Sequence, residues 1–225
     1  MKYIIMCGGK VSQFETPRQL FKINGETLVE RTIRLLKEFG VTDIAISTND
    51  NVDSFDFLDV PIIKLKNSYI FDTYNKFQGY WCDGFYETDE HVCYIMGDVY
   101  FSKAALKQII DTETDDILFF GTDAPYPAGY PKRYQEPLAF KVVNQKKFIE
   151  ACKLFRQLQD LGEAHWPFCR KPISWELAQI ISNQPLGAII VHTPIFVGVH
   201  YFASDIDDYH DITTLENAVK RFNID

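Results

Sequence analysis

Near the N-terminus an apolar run, Lys2–Cys7, breaks into Gly8-Gly9-Lys10. A helical pattern and a second apolar run follow it. The helical stretch spans Thr27–Phe39, where Leu28, Ile33, Leu35, Leu36 and Phe39 recur at helical spacing and Gly40 stops the pattern. Asp43–Ser47 reads as the second strand. Two short strands joined through a helix lie side by side only if they are parallel, with a right-handed crossover. The unit therefore commits the chain to an α/β layer architecture.

The rest of the chain continues this alternation. Strands are expected at Pro61–Leu65, His91–Met96, Asp116–Gly121, Leu138–Val143, Ala188–His192 and Val197–Ala203. Helices are expected within Tyr69–Tyr86, from an N-cap at Ser102 to Ile110, and over Gln145–Leu158, Ile173–Ile181 and Leu215–Phe222. Asn49–Asp59 is polar and reads as loop. Asp123–Tyr134, rich in Pro, Gly and Tyr, is long for a connection, and such loops often carry function. The expectation is one α/β domain over residues 1–225 with a mostly parallel central sheet, and an irregular insert around 122–175.

Charge and cysteine usage narrow the function classes. The formal net charge of −8 argues against broad binding to a nucleic-acid backbone, yet two or three local cations can still hold a nucleotide. The five cysteines, Cys7, Cys82, Cys93, Cys152 and Cys169, include no Cys-x-x-Cys pair, so they read as buried reduced thiols. The apolar run at the N-terminus is too short for a signal-peptide core or a membrane span, so a cytoplasmic location without membrane association is expected.

Three places could carry chemistry. Gly8-Gly9-Lys10 after the first strand is either a tight turn with a surface lysine or a loop whose N–H groups face phosphate; Arg18, after Pro17, adds a second cation. It is neither a P-loop nor a dinucleotide fingerprint, since neither glycine spacing is present. Gly97-Asp98 ends the His91–Met96 strand, where Asp98 is either a turn cap or a carboxylate suited to magnesium. Asp205 and Asp207 alternate in an extended segment and so point the same way, whereas Asp208 and Asp211 suit capping of the last helix. In an open α/β sheet the carboxyl ends of the strands bring such loops to one edge, where ligands bind.

Together these segments resemble the nucleotidyltransferases of the sugar-nucleotide pyrophosphorylase, cytidylyltransferase and molybdenum-cofactor guanylyltransferase type. The resemblance rests on Met6-Cys7-Gly8-Gly9-Lys10, Pro17-Arg18-Gln19-Leu20, Ile23–Val29, Gly97-Asp98 and Asp205–Ile212. The chain departs from the family pattern in three ways: the Gly-x-Gly-x-Arg continuation is replaced by Lys10-Val11-Ser12-Gln13, Arg18 stands for the usual lysine, and Asp208-Tyr209 for Thr-Pro. It therefore reads as a divergent branch.

The resemblance implies a Rossmann-like, GT-A-type fold and transfer of an NMP from an NTP to a phosphorylated acceptor, expected to be a sugar phosphate, with release of pyrophosphate. It implies nucleotide contacts from Cys7, Gly8, Gly9, Lys10, Arg18 and Gly97, with Lys10, Arg18 and Asp98 acting in the reaction. It implies Mg²⁺ as cofactor, on Asp98, Asp205 and Asp207. Glu136, before a strand, is where family members often contact a sugar hydroxyl. Trp166, Arg170 and Lys171 form an aromatic-cationic cluster that reads as an acceptor site for an anion or sugar, or as ordinary surface packing. The expected assembly is a monomer or homodimer. Two other readings share the fold: a glycosyltransferase using a sugar nucleotide, and a nucleotide- or sugar-phosphate-binding module without turnover. The first is disfavoured because Asp98-Val99-Tyr100 lacks the second aspartate of an Asp-x-Asp motif.

Overall fold

A computed structural model of the chain describes residues 1–8, 10–11, 14–49, 52–66, 70–71, 79–122, 136–160, 173–186, 193–206 and 209–225. In chain order its strands are β1 (Lys2–Met6), β2 (Lys10–Val11), β3 (Lys22–Ile23), β4 (Glu26–Thr27), β5 (Ile44–Thr48), β6 (Ile62–Lys64), β7 (Ile70–Phe71), β8 (Val92–Met96), β9 (Val99–Phe101), β10 (Ile117–Thr122), β11 (Pro137–Val142), β12 (Phe196–Val199) and β13 (Ala203–Asp205). The helices are α1 (Leu28–Glu38), α2 (Lys103–Asp111), α3 (Gln145–Asp160), α4 (Ser174–Ile181) and α5 (Tyr209–Arg221).

The central sheet has seven strands in the order β12-β10-β11-β8-β1-β5-β6. Strand β1 is parallel to both β5 and β8, with Met6 opposite Ser47 and Met96. Their carboxyl ends therefore lie along one edge. Strands β5 and β6, and β10 and β12, also pair in parallel. Strand β11 runs against both of its neighbours, β8 and β10, so the sheet is mixed rather than uniformly wound. This reversal brings the start of β11 to the edge where β8 ends.

Helices cover both faces. On one face Tyr94, Phe140 and Phe119 stand abreast on β8, β11 and β10. Phe148 of α3 stacks on Tyr94 at 5.7 Å, and Trp175 of α4 meets Phe119 edge-on at 4.9 Å. On the other face Lys141 of β11, only 3% exposed, donates to the carbonyls of Ile109, Ile110 and Thr112 at the end of α2. A buried ammonium is tolerated there because the carboxyl end of a helix presents unpaired carbonyls and negative potential. Desolvation nevertheless pulls its pKa below the ordinary lysine value.

Helix α1 starts where Thr27 and Glu30 form a capping box: Glu30 N–H donates to the Thr27 hydroxyl, and Thr27 N–H donates to the Glu30 carboxylate. Just before it, β3 and β4 form a hairpin around Asn24 and Gly25, with φ of 54° and 86°. An Asn-Gly pair supplies the left-handed residues of such a two-residue turn.

Several expected elements differ in the structure. Val52–Phe55, expected as loop, forms a 3-10 turn. Within Tyr69–Tyr86, the described residues hold the short strand β7 and a 3-10 turn at Trp81–Gly84 instead of a helix; Gly79, with φ of 79°, does not suit a continuing helix. The strand expected at Val197–Ala203 is two strands, because β12 completes the central sheet while β13 leaves it to pair with β9. The last helix starts earlier than expected and takes Asp211 into its first turn. The strand expected at Ala188–His192 and the loop Asp123–Tyr134 lie outside the described residues. Cys7, Cys82, Cys93 and Cys152 are buried free thiols, as expected; Cys169 lies outside the described residues.

Candidate active site

Three polypeptide segments converge at the carboxyl edge of β1, β5 and β8. The first is the turn after β1. Cys7 N–H donates to the Ser47 carbonyl at 2.7 Å, which ties the turn to β5. Burial pushes the Cys7 thiol pKa up, helped by the nearby charge of Asp98, so this sulfur stays neutral and acts as packing. Gly8 lies against Asn49: a Cβ there would sit 3.5 Å from the Asn49 Oδ1.

The second segment is Gly97-Asp98, after β8. Gly97 N–H donates to the Met6 carbonyl at 3.1 Å. A Cβ on Gly97 would approach that carbonyl oxygen to 2.5 Å, and would meet the Cys7 sulfur and the Gln19 Cγ at 3.1 Å. Glycine is required here by close approach, since the Gly97 turn is clamped between the first loop and the Pro17-Arg18 segment. That segment is a 3-10 turn, Arg18–Leu20, opened by Pro17.

The third segment follows β13. Asp205 pairs with Val99 in the β9–β13 ladder, and Ile206 N–H donates to the Asp98 carbonyl at 3.1 Å. Late in the sequence, this segment thus lies directly beside Asp98. Arg18 joins all of it. Its Nη2 contacts the Asp98 Oδ2 at 2.6 Å, and its Nη1 donates to the Ile206 carbonyl at 2.6 Å. The two side chains of the ion pair are 21% and 18% exposed, so solvent screens them only in part. A guanidinium serves two acceptors at fixed angles, which a lysine ammonium does not.

Glu136 sits nearby. Strand β11 runs antiparallel to β8 with Ala139 opposite Ile95, so Glu136, just before β11, lies toward the end where β8 finishes. Glu136 is 3% exposed; its N–H donates to the Thr122 hydroxyl and its carbonyl accepts from the Thr122 N–H.

Sequence reasoning thus named Cys7, Gly8, Arg18, Gly97, Asp98, Glu136 and Asp205, and the fold brings them to one edge. Lys10 lies on β2, paired in parallel with Ile70. Gly9, Asp207, Arg170 and Lys171 lie outside the described residues. Gln19, Asn49 and Ile206 were missed. Asn49 had a signal, as a polar residue closing a buried strand. Ile206 had none, because it acts through its backbone carbonyl.

Asp98 and Asp205 lie on adjoining segments, joined by the bond from the Ile206 N–H to the Asp98 carbonyl, and carboxylates are the oxygen ligands that a hard divalent cation takes from a protein. Among the described residues no group of three or more His, Cys, Asp or Glu gathers to hold a metal. Among them, too, no helix is long and apolar enough to cross a membrane.

The model of the MobA-like NTP transferase domain matches residues 3–161. The chain belongs to that family. Membership places it in an enzyme superfamily whose general reaction joins an NTP and a phosphorylated acceptor. The matched stretch contains Lys10, Arg18, Asp98 and Glu136, but not Arg170, Lys171, Asp205 or Asp207. No curated protein matches the chain.

Solved structures agree on the fold of this NTP transferase. A putative glucose-1-phosphate thymidylyltransferase from Bacillus anthracis superposes with a TM-score of 0.56 at 14% identity, covering 98% of this chain and 95% of that one. The CTP:phosphocholine cytidylyltransferase LicC of Streptococcus pneumoniae gives 0.53 at 16% identity, covering 97% and 98%. The 2-C-methyl-D-erythritol 4-phosphate cytidylyltransferase IspD of Francisella tularensis gives 0.52 at 10%, covering 95% and 97%. At these identities the likeness concerns the fold, an α/β Rossmann-like nucleotidyltransferase architecture with a mixed sheet.

Proposed function

We propose that this NTP transferase carries out magnesium-dependent transfer of an NMP from an NTP to a sugar phosphate, releasing pyrophosphate. One observation carries the reading: Arg18 meets Asp98 and the segment after Asp205 at the carboxyl edge of β1 and β8, so cationic and acidic halves share one site. The protein works as a single domain of residues 1–225; β11 and α3 belong to its central sheet and helical cover, so only the stretches of the expected 122–175 insert outside them are left to face the acceptor.

Phosphoryl chemistry asks little covalent work of a protein and depends on positioning and charge. Backbone N–H groups of Gly8 and Gly9 would cradle the triphosphate, with Cys7 and Gly97 shaping the floor. Lys10 and Arg18 would neutralise the β- and γ-phosphates and the charge that develops on leaving pyrophosphate. Asp98, Asp205 and Asp207 would hold Mg²⁺, which supplies charge neutralisation and orientation at the α-phosphate. An ionised phosphate oxygen of the acceptor attacks the α-phosphorus, so no general base is needed. Glu136, with Arg170 and Lys171, would orient the acceptor.

The test incubates the protein with each of ATP, GTP, CTP and UTP, Mg²⁺ and a panel of sugar phosphates, and measures pyrophosphate. Release that depends on both NTP and acceptor is expected. Release of a nucleoside diphosphate from a sugar nucleotide would favour a glycosyltransferase. Thermal stabilisation by nucleotide without any turnover would favour a binding module.

A further inference from the structure

The Arg18–Asp98 pair has a consequence for the order in which ligands enter, one that rests on the reading above. As a phosphate-binding cation Arg18 faces a triphosphate, and as a metal ligand Asp98 faces a cation. In the structure each faces the other, at 2.6 Å. The second arm of the guanidinium is held by the Ile206 carbonyl, also at 2.6 Å. Pro17 starts the 3-10 turn that carries Arg18, and Gln19 of the same turn packs against Gly97. The guanidinium is thus held by both acidic segments, while the turn that carries it packs against Gly97.

We infer that Arg18 latches the nucleotide-free site shut by pairing with Asp98, and that a triphosphate opens the latch, so nucleotide and divalent cation bind cooperatively. A cation approaching Asp98 alone meets a positive charge already in contact with the carboxylate. It must displace a charge-assisted bond between partly buried groups, or bind weakly. A triphosphate changes the exchange. Its oxygens accept from the guanidinium in the same forked geometry, so Arg18 leaves Asp98 without losing a partner. The freed carboxylate then takes the cation. Because such coupling is reciprocal, the cation must raise nucleotide affinity by the same factor. Arginine, standing where lysine is usual after the proline, is what permits the double hold on Asp98 and Ile206.

The experiment measures Mn²⁺ binding by electron paramagnetic resonance of the free ion, so it needs no turnover. Wild type, Arg18→Lys, Arg18→Gln and Asp98→Asn are titrated alone and with α,β-methylene analogues of ATP, GTP, CTP and UTP. The binary Mn²⁺–nucleotide complex is subtracted, and circular dichroism checks each fold. In wild type, the analogue that binds should tighten Mn²⁺ about tenfold or more. Arg18→Gln should bind Mn²⁺ alone about tenfold tighter than wild type, and the analogue should tighten it less than in wild type. Arg18→Lys keeps the charge but not the fork, and should fall between. Asp98→Asn should lose the site in every condition. Equal Mn²⁺ affinity in wild type with and without a bound analogue overturns the latch and leaves the nucleotide site standing. So does equal coupling in wild type, Arg18→Lys and Arg18→Gln. Failure of every analogue to bind wild type, followed by thermal shift, overturns the proposed function and the latch together.

Discussion

At Gly97 the backbone of β1 leaves no room for a side chain, since a Cβ would meet the Met6 carbonyl oxygen at 2.5 Å. Backbone cannot rotate aside, so Gly97→Ala should cost about 1–3 kcal/mol in urea unfolding. Gly84→Ala is the control. Its Cβ would meet only the flexible Met6 methyl at 3.2 Å, and the cost should stay within about 0.5 kcal/mol. Asp98 makes a different residue-scale prediction. Asp98→Asn keeps the shape beside Arg18 but removes the charge, so pyrophosphate release should fall at least about hundredfold while the circular dichroism spectrum is unchanged. Wild-type turnover in that variant would remove Asp98 from the reaction. The sequence made Gly97 and Asp98 legible because they interrupt an apolar run at its end. It could not show what presses on Gly97, because Met6, Cys7 and Gln19 reach it only through folding.

At the scale of one element, α1 carries a pH-dependent cap. Hydrogen bonds from the Thr27 hydroxyl and N–H hold the Glu30 carboxyl below its ordinary value of 4.5. The folded state therefore binds this proton less readily than the unfolded state. The stabilisation is complete above pH 4.5 and is lost as pH falls through the lowered folded value. Melting temperatures of wild type and Glu30→Gln, followed from pH 7 to 3, should differ at neutral pH and converge in acid. Thr27→Ala removes the other half of the box and should cost about 1 kcal/mol in urea unfolding at pH 7. Local elements of this kind were the most readable. Thr27–Phe39 was expected as the helix, and the structure gives Leu28–Glu38 with Thr27 and Phe39 as its caps. Lys141 shows the opposite case. Nothing around it in sequence explains a lysine on a buried strand, because its acceptors are carbonyls of another helix.

Over the whole molecule, the acidic edge is held by a small second core. Phe14, Ile23, Leu28, Tyr100, Phe202, Ile206, Leu215, Ala218 and Val219 pack together, drawing on the N-terminal segment, α1, the β9–β13 pair and α5. Arg31 of α1 clips this core to β9, donating to the Phe101 carbonyl at 2.9 Å and lying 4.3 Å over the Tyr100 ring. Leu215 is fully buried there, in the same cluster as Ile206. Leu215→Ala should cost about 2–5 kcal/mol in urea unfolding and raise KM for NTP, because Ile206 loses its support. An unchanged KM at full loss of stability would separate this core from the site. By itself the sequence determined the alternation of strand and helix, the glycines at strand ends, and the cationic and acidic segments that resemble an NTP transferase, since periodicity and turn chemistry depend on near neighbours. Only the tertiary structure decided that β11 runs antiparallel and starts at the edge where β8 ends, that β13 leaves the central sheet for β9, and that Arg18 grips Asp98 and Ile206. Each of those depends on residues distant along the chain, and folding alone brings them within hydrogen-bonding distance.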